Sequence, residues 1–187
     1  MYTKQGTWRE IQDKLIVPKN RLIELTKGSL TLGSLIVEPF SVSHDAADPI
    51  GINVFAGNDK ATIVTDTGVI SDDILRRIDD TTLLVLEANY DPHMLRFGPY
   101  QPFLKQRVAS DEGHLSNEMA AQALLMMKRP DFMQVILAHR SENNNNSVLV
   151  TQTIGKMLVD GGVRIGPEMK LQHGQPNEIV SIQSVKR

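Results

Sequence analysis

Ser43-His44-Asp45-Ala46-Ala47-Asp48-Pro49 is the stretch from which the 187-residue chain is best read. It follows the apolar run Leu35-Ile36-Val37-Glu38-Pro39-Phe40-Ser41-Val42 and sets an imidazole and two carboxylates where a strand should stop. Two later stretches repeat the arrangement. Ala61-Thr62-Ile63-Val64-Thr65 runs into Asp66, and Met133-Gln134-Val135-Ile136-Leu137-Ala138 runs into His139. A lone His or Asp after a strand is more often a loop residue or a helix cap than a ligand. Three at equivalent strand ends change that balance, because α/β proteins assemble their sites at the C-terminal edge of a sheet. His44 and His139 offer imidazole nitrogens, and Asp66 offers a carboxylate able to bridge two ions. Nitrogen and oxygen donors without sulfur suit zinc, manganese or iron in a hydrolytic site.

Outward from these motifs the chain alternates strand and helix signals. Gly6-Thr7 predicts a turn and an N-cap before the helical spacing of Trp8, Ile11 and Leu15, and Pro18 closes that helix. The preceding Met1-Tyr2-Thr3-Lys4 reads as a strand end with no earlier strand to pair with. Short β pieces are expected at 21–26, 29–32 and 34–43. Strands at 50–56 and 60–65 flank Gly57-Asn58-Asp59, a hairpin-turn cluster. Ser71-Asp72-Asp73 starts a helix through Ile78, and Thr81–Glu87 is a strand of the continuously apolar kind. Helical pieces follow from Asp91-Pro92 and from Pro102 to Ser110. Ser116 is an N-cap for a helix ending before Arg129-Pro130, and another helix runs from about Ser147 to Leu158. Two weaker strands, 169–173 and 179–183, complete one α/β unit over residues 1–187, with no internal repeat.

Composition narrows the class. A net charge of −2 gives no global basic signal, so any nucleic-acid contact must be a local patch. The absence of cysteine removes disulfides and thiolate ligands and fits a reducing cytoplasm. There is no signal segment at the start and no apolar run long enough to span a bilayer, so a soluble cytoplasmic protein without a membrane partner is expected.

Among the other candidates, His114 sits just before Ser116. A helix start with free amides beside an imidazole can hold a phosphate or a developing oxyanion, and a plain capping loop is the even alternative. His93 reads as a surface residue and His173 as having no role. Arg96, Lys105 and Arg107 form a possible basic face toward a polyanion, although solvated helix charges explain each one singly. Met119, Leu124, Met126 and Met127 read as core.

Together, Ser43-His44-Asp45-Ala46, Thr65-Asp66-Thr67-Gly68, Leu86-Glu87-Ala88-Asn89, Gly113-His114-Leu115-Ser116-Asn117 and Leu137-Ala138-His139-Arg140-Ser141 resemble metallo-β-lactamase-fold hydrolases. The order and combination are most similar to the YycJ/WalJ-type branch, with a looser likeness to ribonuclease Z. The resemblance implies an αββα sandwich with a two-metal site holding zinc or manganese. It implies that His44 binds the first metal, Asp66 bridges both, His139 binds the second, and His114 is a general acid or phosphate binder. It also implies phosphodiester cleavage of nucleic acid, as a DNA 5′-to-3′ exonuclease.

The HxHxDH signature of that family is missing, and no two of the five histidines lie close in sequence. Tyr90 stands where the branch often has histidine. The chain therefore resembles roughly the later two-thirds to three-quarters of the fold. Each ion would keep two protein ligands of about four or five, so the chain alone is expected to bind metal weakly and be inactive. A non-catalytic binding or assembly fragment and a hydrolase of small esters or thioesters are the alternatives.

Overall fold

The computed structural model describes residues 1–25, 28–176 and 178–182. Strand β1 (Tyr2–Thr3) leads into helix α1 (Gln5–Ile11) and pairs in parallel with β2 (Ile23–Glu24), which supplies the partner that the opening residues lacked in the sequence. The N-cap of α1 is Lys4 without a side-chain cap, so Thr7 lies inside the helix rather than at its start. The remaining strands form one seven-stranded sheet, in the order β3 (Leu30–Leu32), β4 (Leu35–Ser41), β5 (Ile50–Ala56), β6 (Asp59–Val64), β7 (Leu83–Glu87), β8 (Met133–Ala138) and β9 (Met169–His173). The β3 to β6 portion is antiparallel; Gly57 at φ 60° makes the tight turn that pairs Ala56 with Asp59. From β6 to β9 the pairing is parallel, as crossover helices require. No strand forms over residues 178–182, and the rest of the expected 179–183 segment lies outside the described residues.

Helix α2 (Asp72–Ile78) is capped by the Ser71 side chain, α3 (Pro92–Phe97) by Asp91, α5 (Asn117–Met126) by Ser116 and α6 (Ser147–Asp160) by Asn146; α4 (Pro102–Val108) starts on a proline without a side-chain cap. Alternation along the strands sends Phe40, Val64, Leu84, Leu86, Val135 and Leu137 to one face. There they pack with Ile78 of α2, Leu124 of α5 and Ile154 and Leu158 of α6 to form the core. Leu124 and Met127 belong to this cluster, with Met119 packed against it. Met126 is instead 68% exposed, because two positions past Leu124 is the opposite side of a helix turn. Tyr90, Leu95 and Val108 form a smaller core under the α3–α4 segment.

Strand direction decides where the site lies. Two antiparallel reversals separate β4 from β6, so these strands run the same way, and β7 and β8 follow in parallel. The ends of β4, β6, β7 and β8 therefore fall at one edge. Asp66, Glu87 and His139 sit at or just beyond three adjacent strand ends, and His44 follows the fourth.

Candidate metal centre

Three histidines converge on Asp66 at this edge. His44 Nε2 and His139 Nε2 each lie 3.6 Å from Asp66 Oδ1. The His114 ring stands between the other two, with centroids 5.0 Å from His44 and 5.1 Å from His139. Donor atoms of His44, Asp66 and His114 all fall within 4.8 Å of one another. Asp66 and His139 hold left-handed backbone conformations, φ 56° and 52°, which turn each side chain into the cleft where its strand ends. Asp80 shares this conformation in the turn before β7, so strain is not confined to the site.

The imidazoles are oriented by what they bond at the other nitrogen. His44 Nδ1 lies 3.0 Å from the Gly113 carbonyl, which only accepts, so the proton sits on Nδ1 and Nε2 faces Asp66 with a free lone pair. His114 Nδ1 and His139 Nδ1 both donate to one oxygen, Glu87 Oε1, at 2.7 Å each. Backbone N–H groups of Thr67 and Leu115 donate to Glu87 Oε2 at 3.1 and 3.5 Å. Glu87 is fully buried. Burial pushes its carboxyl upward, but the hydrogen bonds from His114 and His139, with the Thr67 amide, outweigh burial and hold it below the usual carboxylate range. The hydrogen bond to Glu87 raises the His139 pKa against the opposing pull of burial. A carboxylate that fixes the far nitrogen of a ligating histidine sets its tautomer and raises its basicity.

The loop carrying His44 is clamped from the α4 side. Arg107 donates to both oxygens of Asp45, through Nε to Oδ2 and through Nη2 to Oδ1 at 3.0 Å. Asp45 N donates to the Glu112 carbonyl at 3.0 Å. The approach requires glycine. A Cβ on Gly113 would meet the Arg107 and Val108 carbonyls at 2.3 Å, and one on Gly68 would meet the Ser110 carbonyl at 2.2 Å.

Every residue singled out for the site in the sequence, His44, Asp66, His114 and His139, is thus found in one cluster. His93 and His173 are elsewhere, the first against Phe97 and the second bonded to Thr151. Tyr90 is buried in the small core with Leu95 and Val108. Two groups do more here than the sequence assigns them. Glu87 closes an apolar strand and stands in one of the quoted motifs without a role, although a carboxylate so placed must find donors or a cation. Arg107 reads as one residue of a basic face or as a solvated charge, and its guanidinium is committed to Asp45.

Residues 1–139 match the Beta-lactamase superfamily domain. The chain is 32% identical over 187 residues to exodeoxyribonuclease YycJ of Bacillus anthracis, covering 99% of this chain and 71% of that protein. Among solved structures, it is similar to the metallo-beta-lactamase fold protein YhfI from Bacillus subtilis, with a TM-score of 0.64 and 14% identity over 91% of this chain and 60% of that one. It is also similar to Zn(2+)-bound PqqB from Methylobacterium extorquens, with a TM-score of 0.60 and 16% identity over 92% of this chain and 59% of that one. The chain spans 71%, 60% and 59% of the length of these three proteins.

Proposed function

Because the chain belongs to the beta-lactamase superfamily and has the metallo-β-lactamase fold, we propose that it carries part of the centre of a metal-dependent hydrolase that cleaves phosphodiester bonds, with DNA as substrate and 5′-to-3′ exonuclease action. The observation that carries this reading is the orientation of His44, His114 and His139, each tied at Nδ1, with Nε2 of His44 and of His139 3.6 Å from Asp66 and a His114 nitrogen within 4.8 Å of it. These nitrogen and oxygen donors fit a divalent ion such as zinc or manganese. His44 would hold a first ion and His139 a second, with Asp66 shared between them. Two ions sharing Asp66 would each need about four ligands, more than these residues and His114 supply together, so uptake nearer one ion than two is expected. The name of the Bacillus anthracis relative supports DNA as the substrate. Among the described residues no helix is long and apolar enough to cross a membrane, and the lack of cysteine suits a cytoplasmic setting.

A bound divalent ion supplies an acidified water and positive charge against the phosphoryl oxygens. His114, held at Nδ1 by Glu87, would meet the phosphate with Nε2 or give the departing oxygen its proton from there. Metal content after loading with zinc or manganese, measured alongside release of nucleotides from 5′-labelled DNA, tests this assignment. Asp66→Ala should lose both metal and any cleavage, whereas His114→Ala should keep metal and lose roughly 100-fold in rate. Cleavage that persists undiminished in Asp66→Ala would refute it.

A further inference from the structure

We propose that the α3–α4 segment is a stacking platform for single-stranded nucleic acid, built from Phe97 and Phe103 and flanked by Arg96 and Lys105. Phe97 is 67% and Phe103 70% exposed, although burying a phenylalanine side chain would stabilise the fold. Isolated exposed apolar residues are ordinary, and Met126, Val148 and Val159 are examples on other helices. What sets this pair apart is its surroundings. From Pro92 to Ser110 the chain carries Arg96, Lys105 and Arg107 and not one Asp or Glu, in a protein whose net charge is −2. The Arg96 guanidinium lies 5.3 Å from the Phe97 ring centroid, and the His93 ring lies 4.6 Å from it at 48°. Lys105 Nζ donates to the Arg96 carbonyl at 2.8 Å, tying α4 to α3 beside Phe97.

An aromatic ring beside a cation, on a segment that carries no acid of its own, complements a strand that has negative phosphates and bare base faces. A duplex keeps its base faces stacked and offers no such surface to a flat ring. The platform also points toward the metal centre. Phe103 and Arg107 are four residues apart on α4, hence on the same helix face with a rise of about 6 Å between them, and Arg107 grips Asp45 beside His44. A strand stacked on Phe103 is one helical turn from the rim of the site. The direction of that path rests on the nuclease reading above, whereas the binding itself does not.

Fluorescence anisotropy with a phosphorothioate oligo(dT) strand, which resists cleavage, and with its duplex tests the platform in the full chain. The single strand should bind more tightly than the duplex. Phe97→Leu and Phe103→Leu keep an apolar side chain but remove the π face, and each should weaken single-strand binding by about fivefold or more. Phe103→Tyr should restore it. Arg96→Gln should reduce the slope of log affinity against log salt by about one. Leucine variants that bind oligo(dT) like the parent would overturn the proposal. So would leucine variants that change only the sedimentation coefficient, since the rings would then belong to a protein contact. A chain that binds oligo(dT) through both rings yet takes up neither zinc nor manganese sinks the metal-centre reading and leaves the platform standing.

Discussion

His44 and the His114–His139 pair are held at the same sheet edge by different means. The pair shares one fully buried carboxylate, whose second oxygen is taken by two backbone amides. His44 leans on a backbone carbonyl, and its loop is held from outside by Arg107, whose side chain is 59% exposed. A buried charge that satisfies four donors has no substitute when removed, because water cannot enter without disturbing the core around it. An exposed ion pair can be replaced by solvent at little cost. The same task, fixing an imidazole at Nδ1, is therefore fragile on one side of the site and tolerant on the other.

The largest effect is expected from Glu87. Glu87→Ala leaves His114 Nδ1, His139 Nδ1 and the Thr67 amide without their acceptor, at about 1–3 kcal/mol for each donor that stays buried. Glu87→Gln is no conservative change, since whichever way the amide is turned its NH2 faces donors. Both variants should lower the midpoint of urea unfolding. Zinc affinity, measured by chelator competition, should fall by about 10- to 100-fold. If Glu87→Gln bound zinc as the parent does, the carboxylate would not be orienting the ligands, and the contrast between the two sides of the site would fail.

Arg107→Ala should act in the same direction and less strongly. It releases Asp45, while the Gly113 carbonyl and the Asp45–Glu112 backbone bond still hold the His44 loop. Zinc affinity should drop by less than about tenfold, since the guanidinium lies one contact further out than the groups that bond the ligands themselves. Arg107→Lys should recover only part of this, because an ammonium cannot make the two-pronged contact with a carboxylate. A loss as large as that of Glu87→Ala would show that the outer clamp, not the carbonyl, positions His44.

Much of the site was legible because its residues stand where strands end. His44, Asp66 and His139 each close an apolar run, and the alternation of strands and helices says that such ends gather at one edge. Glu87 closes a run too, but it merges with the buried strand Leu83–Glu87, and its partners lie 27 and 52 residues away, beyond any local pattern. The pairing of β1 with β2 was unreadable for another reason. Strands of two residues are too short to show a period, and their pairing is fixed by contacts across 21 residues. Thr7 reads as a cap from its hydroxyl alone. The cap is instead Lys4, three residues earlier, and the helix begins at Gln5.

The smallest expected effect belongs to the contact between α1 and the Ser43–Pro49 loop, and pH isolates it. Lys4 Nζ lies 2.5 Å from Asp48 Oδ1, and Gly6 N donates to Asp48 Oδ2 at 3.2 Å. The close approach leaves no space at Gly6, where a Cβ would come within 2.8 Å of the Ala47 carbonyl and of Asp48 Cβ. The Lys4 hydrogen bond, against a smaller opposing effect of burial, holds the Asp48 carboxyl below its ordinary range. A carboxylate with a lowered folded pKa stabilises the fold fully above its unfolded pKa of about 4, and loses that contribution as pH falls through the folded value. Asp48→Asn should therefore unfold at lower urea than the parent from pH 7 down to about pH 5, and the gap should close below about pH 4. A gap of equal size at pH 3 would mean that the asparagine disturbs packing rather than charge, and that α1 is held to the loop by the fit at Gly6.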